Sequence, residues 1–370
     1  MRVLHVVGAR PNFMKASPVI AAFASHHVVQ TLVHTGQHYD ALMSDVFFRQ
    51  LNIPEPDVNL GVGSASHGAQ TGEIMARLEP IVSERRPDLA VVYGDVNSTL
   101  AGSLVCAKLR IPVAHVEAGL RSFDRTMPEE INRVVTDHVA DLLFTPSEDA
   151  DRNLRAEGID ERRIFQVGNV MIDTLMNMLP AAQRAAHEDR LFDKRYALVT
   201  LHRPSNVDDP ERLRDIVRVL IELSEDIPIV FPVHPRTRAR ITSLDGALDR
   251  PNVRLVDPVG YVQFLALQAN AAFVVTDSGG IQEETTYLRV PCLTLRGNTE
   301  RPVTLTTGTN TLIGENPTQL LVEARRILRG ESKRGAAPEL WDGRAAHRII
   351  DVILAGHPAI ALSDVPNGAI

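Results

Sequence analysis

Short apolar runs alternate with longer segments of helical period along most of the chain, and this alternation limits the possible folds more than any other feature. The runs are rich in β-branched residues and do not alternate with polar residues, as strands with one solvent-exposed face would. They indicate strands buried on both faces. The segments between them indicate the helical crossovers that join parallel strands. The sequence therefore predicts an α/β fold with parallel sheets.

The predicted strands form two series. The first lies near residues 3–7, 28–34, 89–93, 112–116, 142–145 and 164–167. The second lies near residues 197–201, 229–232, 253–256, 271–275, 292–295 and 311–313. A charged helical connector over 176–194 separates them, so we predict two Rossmann-like domains, 1–175 and 195–345, that face each other across a cleft. Residues 346–370 are predicted to be a helix around 347–354 followed by a tail.

Composition narrows the class of protein. With 370 residues, 44% hydrophobic and 23% charged, the chain resembles a soluble globular protein of two domains. A formal net charge of −7 argues against a nucleic-acid partner. Cys106 and Cys292 lie far apart in apolar surroundings, which favours buried thiols in a reducing cytoplasm over a disulfide or a metal motif. The start runs directly into strand-like sequence, and no run approaches the roughly 18 apolar residues of a membrane span, so we expect a cytoplasmic protein with no membrane partner.

A possible anion site follows the predicted strand 271–275, where the sequence DSGG at 277–280 opens a helix. The two glycines let backbone approach a ligand closely, and the helix start directs free N–H groups and the positive end of the dipole at negative charge. Phosphate is the expected ligand, with Asp277 or Ser278 as the helix cap. An ordinary capped helix after a strand is the alternative interpretation of this stretch alone.

Charged residues also follow the predicted strands of the first domain, at the sheet edge where doubly wound folds bind ligands. Arg10 and Lys15 follow the first strand and could hold phosphate oxygens, although a solvated basic helix start is an equal alternative. Asp95, Glu117 and Glu129 follow later strands. Crowding shifts the pKa values of neighbouring carboxyl groups, which provides an acid and a base from one residue type.

The structural alternative for these carboxylates is ion pairing at helical spacing, Glu117 with Arg121 and Glu129 with Arg133. In the second domain, His202 and His234 each follow a strand and could carry protons or bind phosphate. Arg301 adds a cation to the same edge.

The ordered set of motifs resembles that of the non-hydrolysing UDP-N-acetylglucosamine 2-epimerase family over nearly the whole chain. The motifs are GARP at 8–11, GQH at 36–38, GD at 94–95, HVEAGLR at 115–121, PEEINR at 128–133, DSGGIQEE at 277–284 and TERP at 299–302. The resemblance implies the two-domain glycosyltransferase type B fold, a homodimer, and a C-terminal helix that crosses back to the first domain. It also implies reversible C2 epimerisation of UDP-GlcNAc to UDP-ManNAc through elimination of UDP, with no metal and no cofactor.

The resemblance also implies roles for single residues. Asp95, Glu117 and Glu129 match the catalytic carboxylates of the family, and His202 matches its catalytic histidine. Either Glu117 or Asp95 would exchange the C2 proton, Glu129 would assist or orient the sugar, and His202 would act on the departing diphosphate. The residues expected to hold UDP are Arg10, Lys15, His234, Ser278, Gly279, Gly280, Glu284 and Arg301.

Two features leave the exact substrate and regulation open. Ser205 stands where the family commonly has a glutamate, so a UDP-2,3-diacetamido sugar or uronate is an alternative substrate. A type B glycosyltransferase and an inactive nucleotide-sugar-binding protein are more distant alternatives. Substrate could also act as an allosteric activator near Gln37, His38 and Gln70.

Overall fold

The computed structural model describes residues 1–37, 48, 50–188, 195–233, 235–243, 248, 250–314 and 316–356. The chain divides into two compact units, which we describe separately. The first contains Met1–Thr174 and the chain from Glu339 onward, and the second contains Leu175–Pro338. The division falls inside the helix Val170–Glu188, which begins earlier than the connector predicted at 176.

The described part of the first unit contains one parallel sheet with the strand order β3-β2-β1-β4-β5-β6-β7. Its strands are β1 Arg2–Val7, β2 Val29–His34, β3 Val58–Asn59, β4 Leu89–Tyr93, β5 Val113–Val116, β6 Leu142–Thr145 and β7 Ile164–Gln166. Its helices up to the division are α1 Arg10–Ala24, α2 His67–Arg85, α3 Asn97–Lys108, α4 Pro128–Val139, α5 Glu148–Ala156 and α6 Val170–Glu188. The sheet order reverses direction between β1 and β4, which is the topological switch point where such folds bind ligands.

Helix α2 shows how the sequence produces this layer. Ile74, Leu78 and Val82 recur every four residues, so they form one apolar face, and that face is buried against strand residues that include Leu4 and Val6. Complete burial of each such side chain contributes roughly 1.5–3 kcal/mol. Strands covered by helices on both faces appear in the sequence as continuous apolar runs. The strands could therefore be predicted from the sequence.

The second unit repeats the design with a parallel sheet of order β10-β9-β8-β11-β12-β13. Its strands are β8 Ala197–Thr200, β9 Ile229–Pro232, β10 Val253–Val256, β11 Phe273–Thr276, β12 Cys292–Thr294 and β13 Asn310–Leu312. Its helices are α7 Pro204–Val207, α8 Pro210–Asp226, α9 Pro235–Thr242, α10 Tyr261–Asn270, α11 Gly279–Leu288, α12 Pro302–Thr306 and α13 Pro317–Leu328. Here the switch point lies between β8 and β11.

The chain returns to the first unit through the helix α14, Ala345–Leu354. Asp173 accepts hydrogen bonds from the backbone N–H groups of Ala345 (3.2 Å) and Ala346 (2.8 Å), which satisfies donors that a helix start leaves unpaired. Trp341 Nε1 donates to the carbonyl of Pro146 at 2.9 Å. These contacts fix α14 on the first unit.

The predicted α/β class with two parallel, doubly wound sheets is confirmed, and each predicted strand lies within two residues of an observed one. The sequence did not predict β3, because Val58–Asn59 contains no apolar run. In the described part of the chain, no helix is long and apolar enough to cross a membrane.

Candidate active site

The sheet of the first unit brings two predicted carboxylates to the same edge. Tyr93 at the end of β4 is in register with Val116 at the end of β5, so Asp95 and Glu117 leave the sheet beside each other. The N–H of Gly94 donates to the carbonyl of Val116 at 2.9 Å and joins the two turns. Candidate acid/base residues that are far apart in sequence therefore lie on adjoining turns.

Glu117 is buried and forms an ion pair with the buried Lys15, which extends from α1. A side chain at Gly94 would collide with this pair, because a Cβ there would lie 2.5 Å from Lys15 Nζ and 3.2 Å from Glu117 Oε2. Glu117 itself has a left-handed backbone, with φ of 72°, a conformation that strains a residue with a side chain. Lys15 thus contacts a carboxylate of its own unit. Arg10 begins α1, and burial lowers the pKa of its guanidinium.

Asp95 forms an ion pair with Arg133 of α4, with Nη2 and Nε at 2.6 and 3.0 Å from Asp95 Oδ2. Arg133 also binds Glu130 at 2.6 Å. Glu130 accepts in addition from the backbone of Ser122 and Phe123, so it anchors the loop before α4. Asp95 keeps 21% of its side chain exposed, whereas Glu130 keeps 3%. Asp95 is therefore the member of this group that a ligand can reach.

Glu129 lies in the first turn of α4, next to the anchored Glu130. It is half-buried, and its side chain has no hydrogen-bond or ion-pair partner in the described part of the chain. The alternative pairing predicted from helical spacing is wrong, since Arg133 binds Asp95 and Glu130, and Glu117 binds Lys15. The three candidate carboxylates thus have three different surroundings.

A row of ion-paired side chains lies next to the turns that carry Asp95 and Glu117. His115 on β5 contacts Asp137 of α4 through Nδ1 at 2.6 Å, and Asp137 contacts Arg121 at 2.7 Å. Arg121 in turn binds Glu157 at 2.7 Å. Burial alone would raise the pKa of Asp137, but the charges and hydrogen bonds of His115 and Arg121 hold that pKa below its ordinary value.

Two of the residues proposed from sequence for an allosteric site use their amide groups inside the first unit. Gln37 Oε1 accepts from the N–H and hydroxyl of Ser98 at 3.0 and 2.6 Å. Gln70 Oε1 accepts from Asn97 Nδ2 at 2.8 Å. Both glutamines are buried and fasten the start of α3 to nearby loops. The third residue, His38, lies outside the described residues.

In the second unit, β8 and β11 end together, with Thr200 in register with Thr276. The next residues form a histidine–aspartate pair in which His202 Nδ1 lies 2.8 Å from Asp277 Oδ1. Asp277 is completely buried and also accepts from the N–H groups of His202 and Arg203 and from Asn206 Nδ2. Burial would raise the pKa of Asp277, but these hydrogen bonds hold it below its ordinary value.

The pair leaves His202 half open to a ligand. Its side chain is 60% exposed, and Nδ1 faces Asp277, so Nε2 is the nitrogen available for proton transfer or for a phosphate. Asp277 was expected as one of two possible helix caps. It instead holds the His202 turn, and Ser278 occupies the N-cap position.

Helix α11 begins at Gly279, and the hydroxyl of Ser278 makes no capping hydrogen bond. The side chain of Ser278 therefore leaves the first N–H groups of this helix available to an anion. A Cβ at Gly279 would collide with the side chains of Arg301 and Glu300. The glycine lets the arginine approach the helix start closely.

Arg301 belongs to a buried cluster of alternating charge. It contacts Glu300, and its Nε lies 3.0 Å from Glu283 Oε2. Glu300 also binds Arg296 at 2.7 Å. Two carboxylates fix the guanidinium of Arg301 against the start of α11, so the cation is already oriented before a ligand arrives.

Glu284 lies one residue beyond Glu283 and is buried against Tyr261, whose hydroxyl donates to Oε1 at 3.0 Å. Burial raises the pKa of Glu284 to about 7, although the hydrogen bond from Tyr261 lowers it in part. Glu284 therefore retains its proton at a higher pH than an ordinary glutamate does. Its carboxyl group can gain or lose a proton when a ligand hydroxyl approaches.

Two further positions were singled out from the sequence. His234 lies outside the described residues. Ser205 is exposed on α7. Within the described ranges, no three His, Cys, Asp or Glu side chains cluster as potential metal ligands.

Comparison with known proteins identifies the family to which this chain belongs. A profile of the UDP-N-acetylglucosamine 2-epimerase family matches residues 21–354. This chain belongs to the UDP-N-acetylglucosamine 2-epimerase family. It is therefore an epimerase, an enzyme of the isomerase class.

Two similar proteins have related activities. This epimerase is 44% identical over 366 residues to the UDP-N-acetylglucosamine 2-epimerase of Methanocaldococcus jannaschii, covering 96% of this chain and 100% of that protein. It is 42% identical over 358 residues to the UDP-2,3-diacetamido-2,3-dideoxy-D-glucuronate 2-epimerase of Pseudomonas aeruginosa, covering 95% of this chain and 99% of that protein.

A solved structure agrees with the fold of this epimerase. The crystal structure of the M. jannaschii UDP-GlcNAc 2-epimerase in complex with UDP-GlcNAc and UDP has a TM-score of 0.89 and 43% identity, and the match covers 96% of this chain and 100% of that chain. The predicted fold class, two Rossmann-like domains as in type B glycosyltransferases, is thereby confirmed.

The sequence did not reveal the partners of three of these residues. Asp277 holds His202, Arg133 holds Asp95, and Asp137 holds His115. Each partner is distant in sequence, so helical spacing could not reveal it. The available signal was an acidic residue directly after the buried β11, which pointed to Asp277 but suggested a cap.

Proposed function

We propose that this enzyme interconverts UDP-GlcNAc and UDP-ManNAc by inverting C2 of the sugar, and so supplies ManNAc-type sugars for cell-surface polysaccharide. One observation carries the proposal. Two carboxylates, Asp95 and Glu117, are each paired with a cation on adjoining turns of a chain that is 44% identical to a UDP-N-acetylglucosamine 2-epimerase. The complex of a relative with UDP-GlcNAc and UDP supports a UDP-sugar as the ligand.

The second unit would provide most of the binding site for UDP. The uncapped start of α11 suits a diphosphate, and the fixed guanidinium of Arg301 suits its oxygens. Glu284 would accept from a ribose hydroxyl. The proposed UDP-binding set is Arg10, Lys15, His234, Ser278, Gly279, Gly280, Glu284 and Arg301.

The reaction is proposed to run by elimination and re-addition, because a C2 proton of a sugar is too weakly acidic for simple removal. A base takes the C2 proton, the C–H electron pair becomes the C1=C2 double bond, and the C1–O pair leaves with UDP. The intermediate is 2-acetamidoglucal. A proton then reaches the opposite face of C2 while a UDP oxygen forms the C1–O bond again. The elimination and the re-addition both balance without an oxidant or a reductant.

The surroundings of each carboxyl group support a division of roles. Glu117 is buried in an ion pair with Lys15, and we assign it the role of the base at C2. Asp95, held by Arg133 and partly exposed, would exchange the proton on the other face. Glu129 would orient the sugar. His202 would stabilise the departing diphosphate through Nε2, because Asp277 holds its other nitrogen.

A related substrate is the alternative. The P. aeruginosa relative, an epimerase for a diacetamido uronate, is nearly as similar as the relative from M. jannaschii. Ser205 favours the same alternative, since it removes a carboxylate that the family commonly carries and that would repel a uronate. Both substrates would undergo the same C2 chemistry.

We also propose a homodimer in the cytoplasm and activation by substrate near Gln37, His38 and Gln70. Sedimentation at several protein concentrations tests the dimer.

Activation is tested by initial rates. A sigmoidal dependence of the rate on UDP-GlcNAc concentration would support it, and so would a hyperbolic dependence on UDP-ManNAc when the reverse reaction is measured at constant UDP-GlcNAc. Hyperbolic rates in both directions would contradict it.

An NMR assay with a panel of UDP-sugars tests the proposed function. UDP-GlcNAc should give UDP-ManNAc in excess EDTA and without NAD, and Glu117→Gln should bind UDP normally but turn over about 10²–10⁴-fold more slowly. Turnover of the diacetamido uronate alone would select the alternative. Loss of turnover on chelation, restored by a divalent ion, would contradict the proposed chemistry.

A further inference from the structure

The two turns that carry the candidate acid/base groups have unusual backbone conformations. Gly94, Glu117 and Gly119 all have left-handed φ angles, of 59°, 72° and 80°. A residue with a side chain, such as Glu117, holds this conformation only when the surrounding structure imposes it. The position of both carboxylates therefore depends on what fixes the turns.

One histidine–aspartate pair contacts both turns. His115 Nε2 lies 2.8 Å from the carbonyl of Gly94, the residue before Asp95. His115 Nδ1 lies 2.6 Å from Asp137 Oδ1, and the other oxygen of Asp137 accepts from the N–H of Gly119 at 3.1 Å. The pair thus links the Asp95 turn to the Glu117–Gly119 turn.

The contacts of His115 require a charged ring. A carbonyl oxygen and a carboxylate oxygen only accept hydrogen bonds, so both ring nitrogens must donate, which only an imidazolium can do. Charge balance agrees. Asp137 and Glu157 carry two negative charges, and Arg121 with a protonated His115 carries two positive charges.

We infer that His115 and Asp137 are positioning residues, a charged brace that sets the distance between the Asp95 and Glu117 carboxylates. The inference rests on the proposed roles of those two carboxylates. Neither brace residue touches substrate in this account. Displacement of reacting groups by about 1 Å can lower a rate by about 10². Loss of the brace should therefore reduce turnover far more than it weakens UDP binding, because the second unit would provide most of the UDP site.

A second buried histidine of the same unit provides a matched control. His5 on β1 is also completely buried, and it contacts the Tyr93 hydroxyl at 2.7 Å and Gln30 at 3.0 Å. Burial lowers the pKa of His5 to about 4. A neutral ring suits these partners. Neither partner lies in the turns that carry Asp95 and Glu117. Its loss should disturb the core as much as loss of His115 does.

The experiment compares His115→Asn with His5→Asn in the full chain. Both should lower the Tm. His115→Asn should lower kcat by about 10²-fold with the Kd for UDP within about twofold of wild type. His5→Asn should keep kcat within about threefold. Equal kcat values for the two variants, or a loss of UDP affinity equal to the loss of kcat, would overturn the inference.

A spectroscopic measurement on the wild-type protein covers the case in which His115→Asn does not fold. With ¹⁵N-labelled histidine, the resonances of His115 should show two protonated ring nitrogens near neutral pH. A neutral ring carries only one N–H, so it could not donate to both Asp137 and the Gly94 carbonyl, and this result would overturn the brace. If the wild type does not epimerise any UDP-sugar, the proposed function fails, while the ring measurement still reports on the brace.

Discussion

Each unit holds one histidine against one buried aspartate, and the two pairs differ in the second ring nitrogen. In the first unit, His115 contacts Asp137 at 2.6 Å, and its Nε2 meets a backbone carbonyl at 2.8 Å with the side chain fully buried. In the second unit, His202 contacts Asp277 at 2.8 Å with 60% of its side chain exposed. In the described part of the chain, His202 Nε2 has no hydrogen-bond partner.

The difference shows that the separation of histidine and aspartate does not decide the role of such a pair. A ring with both nitrogens bound to the protein can only hold structure. A ring with one nitrogen exposed can exchange a proton or bind an anion while the aspartate fixes its tautomer. The same pair of residue types therefore supports a brace in one unit and a candidate catalytic group in the other.

The largest effect is expected at the exposed histidine. His202→Gln should lower kcat by about 10²–10⁴, the range for loss of a positioned acid/base group, and should leave the Tm nearly unchanged because the side chain is exposed. Steady-state kinetics and thermal unfolding check both halves. His138→Gln, which changes a surface histidine with 48% of its side chain exposed, is the control and should change neither quantity. A large drop in Tm for His202→Gln would remove the contrast between the pairs.

The opposite result is expected at the buried pair. Asp137→Ala would leave His115 and Arg121 buried without their shared carboxylate, and breaking such a pair typically lowers the free energy of unfolding by about 3–5 kcal/mol. Urea unfolding checks this value. Glu161→Ala breaks a surface ion pair with Arg155 in the same unit and should leave the unfolding midpoint nearly unchanged. Equal midpoints for the two variants would mean that the buried pair contributes no more than a surface pair.

The fold was readable from the sequence because strands covered by helices on both faces must be apolar throughout. The strand Val58–Asn59 lacks that signal, since its pattern is half-exposed. The start of the helix at Val170 was also missed, because the division between the units falls inside the helix and leaves no break in its pattern.

For the site, only the types of residue could be predicted from the sequence. The strand ends pointed to Asp95, Glu117 and His202, but the sequence could not show which cation meets which carboxylate. Lys15 was assigned to UDP and contacts Glu117, and Asp277 was considered a cap and holds His202. These contacts depend on which strands are neighbours, and strand order is not a local property of the sequence.

A smaller effect is expected from the pH dependence of ligand binding at Glu284, whose pKa burial raises to about 7. Ribose hydroxyl groups would bind its ionised form, so affinity for UDP-GlcNAc should fall about tenfold for each pH unit below 7 and level off above it. The sugar diphosphate does not itself titrate in this range. Calorimetry in a Glu117→Gln background avoids turnover. Adding Glu284→Gln should flatten the profile, and an equal slope in both proteins would contradict the role of Glu284.

The smallest effect is expected at Asp173, a buried carboxyl group without the close cations of Asp137. Burial raises its pKa to about 6, above the value in an unfolded chain, so the folded state retains the proton. Its contribution to stability is therefore full below about pH 4 and is lost as the pH rises through about 6. Asp173→Asn still accepts at the start of α14 and should remove this dependence. Parallel pH profiles of the unfolding free energy for the wild type and Asp173→Asn would contradict this role of Asp173.

We propose that the carboxylates of the first unit exchange the C2 proton, and a reaction in deuterium oxide tests this step. The carboxyl group that delivers the new proton to C2 should exchange with solvent, so that it carries deuterium when it adds to the glycal. NMR should therefore find deuterium at C2 of UDP-ManNAc, with traces of 2-acetamidoglucal and UDP after long incubation. A transferase or a binding protein would leave C2 unlabelled. Epimerised product with only protium at C2, and no glycal at any time, would contradict the elimination mechanism.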